Sequence, residues 1–137
     1  MATLAEGRSA SVLIIDDQPF FTTMLRGSLE QQGFRVLVAN SGPDGLALAK
    51  KHVPDVVLLD IEMPVMDGFA VCEKLRKDDA VKHIPVVILT ATNNPKLNER
   101  AFRAGADIVT LKVLSTERLV NMIRLAMAKG KAAPPPA

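Results

Sequence analysis

The chain has no tryptophan and no tyrosine, one cysteine and two histidines. With Cys72 alone, no disulfide framework and no zinc cluster can be built, and a reducing, cytoplasmic setting is expected. His52 and His83 have no Cys or His partner at metal-ligand spacing. The only aromatics are five phenylalanines, so the core has to be mainly aliphatic. An excess of one charge is also missing. The formal net charge is +2, too small by itself to imply binding of nucleic acid or an acidic membrane. No apolar run approaches the roughly 20 residues needed to span a bilayer. The opening MATLAEGRSAS lacks the apolar segment of a signal peptide.

What is present is regular. A chain of 137 residues, 48% hydrophobic, suits one domain around one core. Short β-branched runs occur at 12–15, 35–39, 56–59, 86–89 and 108–111. Segments with helical spacing lie between them. Phe21, Met24, Leu25, Ser28 and Leu29 follow the i, i+3, i+4 pattern of one buried helix face, and Gly33 stops that helix. Leu46, Leu48 and Ala49 lie on a second helix starting near Ser41. Phe69, Cys72, Leu75 and Arg76 belong to a third, capped by Asp67. A fourth runs from about Lys96 to Ala104, and Leu119, Ile123, Ala126 and Met127 form the stripe of a fifth. Cys72 and Met24 read as core residues.

Five strands alternating with five helices predict an α/β fold: a doubly wound, five-stranded parallel sheet with helices on both faces. Residues 1–10 are expected to form a flexible arm and 11–129 the domain. Residues 130–137, GKAAPPPA, read as a proline-rich tail or the start of a linker.

Polar residues stand at the ends of four of the apolar runs. Asp16 and Asp17 follow VLII, Asp60 follows VVLL, Thr90 follows VVIL, and Lys112 follows DIVTL. A strand-helix-strand unit takes about 30 residues, so these positions fall together at the carboxyl edge of the sheet. Three carboxylates there repel one another unless protons or a cation sit among them. Mg²⁺ suits such a site, being a hard ion that takes oxygen ligands. The remaining negative charge can be offset by Lys112. Asp60 is then placed as a nucleophile toward a phosphoryl group, with Lys112 taking up charge and Thr90 donating to a phosphate oxygen. Each piece alone has a blander reading. An Asp-Asp pair more often opens a helix, and Asp67 is read as a helix cap rather than a catalyst. The combination, in this order and at strand ends, is what carries the functional reading.

The string LLDIEMPVMDG, together with Asp16, Asp17, Thr90 and Lys112, resembles the receiver domain of bacterial two-component response regulators over about residues 11–129. The resemblance implies a flavodoxin-like sheet of strand order 2-1-3-4-5. It implies that Asp60 accepts a phosphoryl group from a histidine kinase or a histidine phosphotransfer protein. It assigns Mg²⁺ to Asp16, Asp17, Asp60 and the backbone carbonyl of Glu62. Thr90 matches the switch hydroxyl and Lys112 the site lysine. The output would pass through the face of the fourth helix, fifth strand and fifth helix to an effector, with no nucleic acid or membrane bound by this domain; a homodimer is compatible. The receiver would stand alone or open a longer regulator.

Two positions depart from the family. Val113 follows Lys112 where proline is usual, and a trans Lys112–Val113 bond is expected because a non-proline cis bond costs about 3 kcal/mol. Val109 stands where the family has an aromatic partner for the threonine. Two rivals remain: a receiver-like interaction module that is never phosphorylated, and a phosphatase of the haloacid dehalogenase type. The phosphatase needs a second Asp two residues after the first, where this chain has Glu62.

Overall fold

A computed structural model of the chain describes residues 9–112 and 115–131. The strands are β1 (Ser11–Ile15), β2 (Arg35–Ala39), β3 (Val56–Asp60), β4 (Val86–Thr90) and β5 (Ile108–Leu111). The helices are α1 (Pro19–Gln31), α2 (Gly42–His52), α3 (Gly68–Lys77), α4 (Pro95–Ala104) and α5 (Thr116–Lys131). All pairings are parallel, and the order is β2-β1-β3-β4-β5. The expected class and order are therefore both present. No helix among the described residues is long and apolar enough to cross a membrane.

Alternation along the strands sorts the core into two halves. Leu13, Ile15, Val57, Leu59, Val86 and Ile88 face α2, α3 and α4, where Phe69, Cys72 and Leu75 pack against them. Val12, Ile14, Val56, Leu58, Val87 and Leu89 face α1 and α5, against Leu25, Leu29, Leu119 and Ile123. β3 and β4 are buried at every position, as befits strands covered on both faces.

Local chemistry sets the helix ends. At the end of α1, Gly33 takes φ 93°. Its N–H donates to the Glu30 carbonyl, and the Phe34 N–H donates to the Leu29 carbonyl. That pair of bonds closes the last turn and needs a left-handed residue, which glycine supplies without a Cβ clash. The Ser41 hydroxyl caps α2, the Asp67 carboxylate caps α3 and the Asn94 side chain caps α4. Asp67 thus has the capping role expected of it, accepting from the Ala70 N–H at 2.9 Å.

Some expectations need correction. Met24 was expected in the core and is 53% exposed. α1 starts at Pro19, and its inward stripe is Thr22, Leu25 and Leu29, so Met24 falls at the flank. Asp60 and Thr90 stand at strand ends as expected, being the last residues of β3 and β4. Residues 1–8 of the expected arm and 132–137 of the expected tail lie outside the described residues, as does Val113, and with it the Lys112–Val113 bond; Gly130 and Lys131, expected in the tail, instead form the end of α5. Ala10 is described; it is 1% exposed and its carbonyl accepts from the Arg35 N–H.

Candidate functional site

β1 and β3 lie side by side, yet the chain leaves them for opposite faces, into α1 and α3. That divergence opens a crevice at the carboxyl edge of the sheet. Asp16 and Asp17 follow β1 directly, and Asp60 ends β3 beside them. One carboxylate oxygen from each of the three lies within 4.8 Å of the others. Ligands of one small cation, each about 2.1 Å from it, stand roughly 3–4 Å apart, so this spacing needs little adjustment to hold Mg²⁺.

Asp16 is 1% exposed and Asp60 3%, whereas Asp17 is only partly buried. Charged groups are rarely buried so deeply without partners. The first partner is Lys112, which reaches in from the end of β5. Its Nζ lies 2.8 Å from Asp16 Oδ2 and 3.3 Å from Asp60 Oδ1. Asp16 Oδ2 is buried, and the Lys112 ammonium 2.8 Å away is the one charged group that meets it among the described residues. A carboxylate oxygen with spare lone pairs in this position could also take a metal ion. The other oxygen of Asp16 is used locally, accepting from the Gln18 N–H at 2.9 Å.

Electrostatics follow from this crowding. Burial, and next the charge of Asp16, push the Asp60 carboxyl up from 3.8 to about 6. Lys112 and the backbone N–H of Glu62 pull the other way and do not win. Burial also works against the charge on Lys112, yet contact with Asp16 and the charges of Asp60 and Asp16 hold its ammonium above its ordinary range. Burial accounts for most of the rise at Asp60, and the Asp16 charge adds to it, so placing a second carboxylate beside Asp60 works against its ionisation. A cation among the three acids would relieve that opposition.

The loop after Asp60 is tightly built. A Cβ on Gly68 would collide with the Asp60 carbonyl oxygen, so only glycine lets the start of α3 pack against the end of β3. Val65, fully exposed, takes φ 69°, a left-handed value that is unfavourable for a β-branched residue. Glu62 is exposed on this loop.

Thr90 is 3% exposed at the end of β4, beside the strand that carries Asp60. Its hydroxyl is turned onto its own loop. It donates to the Thr92 carbonyl at 3.1 Å and accepts from the Thr92 N–H at 3.2 Å. The structure therefore brings Asp16, Asp17, Asp60 and Lys112 into one cluster, with Thr90 at the same edge and engaged elsewhere. Sequence reading missed two contacts of Lys112. Gln18 Oε1 accepts from Nζ at 3.3 Å, and the Phe21 ring centroid lies 4.7 Å from Nζ. Gln18 and Lys112 are 94 residues apart, and neither Gln18 nor Phe21 is a residue type that signals a site.

Comparison with known proteins agrees with this geometry. Residues 12–124 match the family model for the response regulator receiver domain. Protein PilH of Pseudomonas aeruginosa is 39% identical over 119 residues, which cover 87% of this chain and 98% of PilH. Response regulator PleD of Caulobacter vibrioides is 36% identical over 116 residues, 85% of this chain but only 26% of PleD. The chain thus spans about a quarter of that relative. Among solved structures, chemotaxis protein CheY4 of Vibrio cholerae is 30% identical with a TM-score of 0.82, covering 85% of this chain and 98% of that one. The receiver domain of Francisella response regulator 1452 is 26% identical with a TM-score of 0.81, covering 88% and 98%. With a carboxyl-edge acid cluster, a lysine reaching into it and a family match along most of its length, the chain belongs to the response regulator receiver domain family of two-component systems.

Proposed function

We propose that this receiver accepts a phosphoryl group on Asp60, from a histidine kinase or a histidine phosphotransfer protein, with Mg²⁺ bound by Asp16, Asp17, Asp60 and the Glu62 carbonyl. The observation that carries the reading is Asp60 itself: a buried carboxylate at a strand end, in a cluster with two further acids and 3.3 Å from an ammonium. An Asp60 oxygen attacks phosphorus, an acyl phosphate bond forms, and the bond from phosphorus to the donor breaks with its electron pair leaving on the donor atom. When bound, Mg²⁺ supplies positive charge to the phosphoryl oxygens. Lys112 takes up charge on the same oxygens from the other side. The test is incubation with acetyl phosphate and Mg²⁺ followed by intact-mass measurement. One phosphate is expected on the wild type, and the same adduct on Asp60→Asn would sink the assignment.

Asp17 is the most accessible of the three acids and is assigned as a direct metal ligand. Removing one of so few charged ligands weakens a Mg²⁺ site severely. Asp17→Asn is expected to lower Mg²⁺ affinity by at least about tenfold in a titration, a loss that corresponds to about 1.4 kcal/mol. Unchanged affinity counts against the ligand set.

The proposed response follows from Thr90. To donate to a phosphate oxygen, its hydroxyl has to withdraw the one proton it now gives to the Thr92 carbonyl, and the bond it accepts from the Thr92 N–H is strained as the side chain turns. The loop 91–94 and α4 then lose their present anchor and shift. No aromatic stands at Val109 to report this by a ring flip. Only a few kcal/mol need separate the two states. Binding of a beryllofluoride phosphate mimic is expected to move amide resonances across residues 90–104. Changes confined to the neighbours of Asp60 would reject the switch.

The output face proposed is α4–β5–α5, where Phe102 and Leu111 are exposed apolar side chains available to an effector or a second copy. The working unit is residues 11–129, in a cytoplasmic setting that keeps the buried Cys72 reduced. It would either act alone, at PilH-like length, or head a longer regulator.

A further inference from the structure

The Lys112 ammonium is held from two sides, and only one of them is charged. Towards the crevice it meets Asp16 and Asp60; towards α1 it meets Gln18 Oε1 and the face of Phe21. Gln18 is the N-cap residue of α1 and Phe21 lies in the first turn, so the helix sets where both residues start from. Phe21 and Lys112 also line a small cavity of about 130 Å³ between α1 and α5, with Met24, Leu25, Leu89 and Leu119. The stem of Lys112 thus runs along an apolar wall, and its side chain is 13% exposed.

The two sides differ in what phosphoryl transfer does to them. Asp60 loses a free carboxylate oxygen when it forms the acyl phosphate. Asp16 gains a competitor for its lone pairs when a metal binds. A lysine positioned by these acids alone would lose its partners in the reaction that needs it, and its flexible stem would let the ammonium drift to water. Gln18 and Phe21 are neutral and unreacted. They keep their hold and add no negative charge against the incoming phosphoryl oxygens. An aromatic face attracts an ammonium through its quadrupole, most effectively where water is partly excluded.

We propose that Phe21, with Gln18, is a positioning residue that keeps the Lys112 ammonium at the mouth of the site throughout phosphoryl transfer. This rests on the phosphoreceiver reading and extends it to two residues outside the acid cluster. Neither residue touches the reacting atoms; both act through Lys112.

The experiment follows the rate of phosphate uptake from acetyl phosphate at fixed Mg²⁺ by intact mass, beside thermal midpoints and Mg²⁺ titrations. Phe21→Leu keeps an apolar side chain and removes the ring, and it is expected to slow uptake by about fivefold. The double variant with Gln18→Met is expected to be slower by about tenfold, since a neutral hydrogen bond is lost as well. Phe21→Tyr, which restores a ring, is expected to return the rate to near wild type. Mg²⁺ affinity should stay put in all three. In a Lys112→Met background, Phe21→Leu should have no further effect, because there is no ammonium left to position. An equal slowing by Phe21→Leu with and without Lys112 overturns the proposal and makes the ring merely structural. So does a double variant that runs at the wild-type rate. A wild type that takes up no phosphate overturns the phosphoreceiver reading and this extension together, so the two failures are distinguishable.

Discussion

Asp60→Asn is expected to abolish phosphate uptake and, in metal-free buffer, to make the protein more stable at neutral pH. The reason is the proton affinity of the site. Burial and Asp16 raise the Asp60 carboxyl from 3.8 to about 6. Below about pH 4 the acid is protonated in both folded and unfolded chains, and it imposes no penalty. As pH rises from about 4 to 6, the unfolded chain releases this proton before the folded one does. The unfolded state then binds fewer protons, so stability falls through that window and the penalty is complete above about pH 6. A shift of about two units corresponds to about 3 kcal/mol, and solvent at the mouth of the crevice reduces it to about 1–2 kcal/mol. Asparagine keeps the shape and cannot ionise. Urea denaturation in the presence of EDTA should show the variant ahead at pH 7.5 and level with wild type near pH 4. A variant no more stable than wild type at pH 7.5 would mean that Lys112 fully compensates the acid cluster.

Arg76→Met is expected to destabilise the fold strongly, because Arg76 binds several elements at once. It lies at the end of α3, where Nε donates to the Gly105 carbonyl at 2.9 Å and Nη1 to the Ile84 and Lys82 carbonyls at 2.6 and 3.0 Å. Nη2 donates to Asp107 Oδ2 at 2.8 Å, and the same oxygen accepts from the Val86 N–H at 2.8 Å. One guanidinium therefore ties α3 to the approaches of both β4 and β5, the strands that carry Thr90 and Lys112. Arg76→Met is expected to cost about 3 kcal/mol, since it leaves carbonyls and a half-buried carboxylate without their charged partner. Arg76→Lys should recover little of this, because one ammonium on a flexible stem cannot match a planar fork with several donors. The check is urea denaturation at pH 7.5, where an unchanged midpoint for Arg76→Met would show that water replaces these bonds without loss.

The acid cluster was legible in advance for a simple reason. In a parallel sheet every strand delivers its last residue to the same edge, so a polar residue ending an apolar run announces its own location. Asp16, Asp60 and Thr90 were readable that way, and so was the base of Lys112. Met24 was misread because helical spacing defines a stripe without fixing its phase. Pro19 set the start of α1, and Thr22, a polar residue, took an inward position instead.

By itself, the sequence determined the class of the fold, the number and order of its elements, the start of a helix at Ser41, the helix cap at Asp67, and which residues stand at the carboxyl edge. These are local or periodic properties, written within a few residues of one another. The tertiary structure alone decided how the edge works. It set the contact of Lys112 with Gln18 across 94 residues of chain and the ring of Phe21 beneath the ammonium. It buried Asp60 beside Asp16 deeply enough to raise its proton affinity. Such properties depend on distances between remote residues and on how much water packing excludes, and neither is encoded in spacing along a chain.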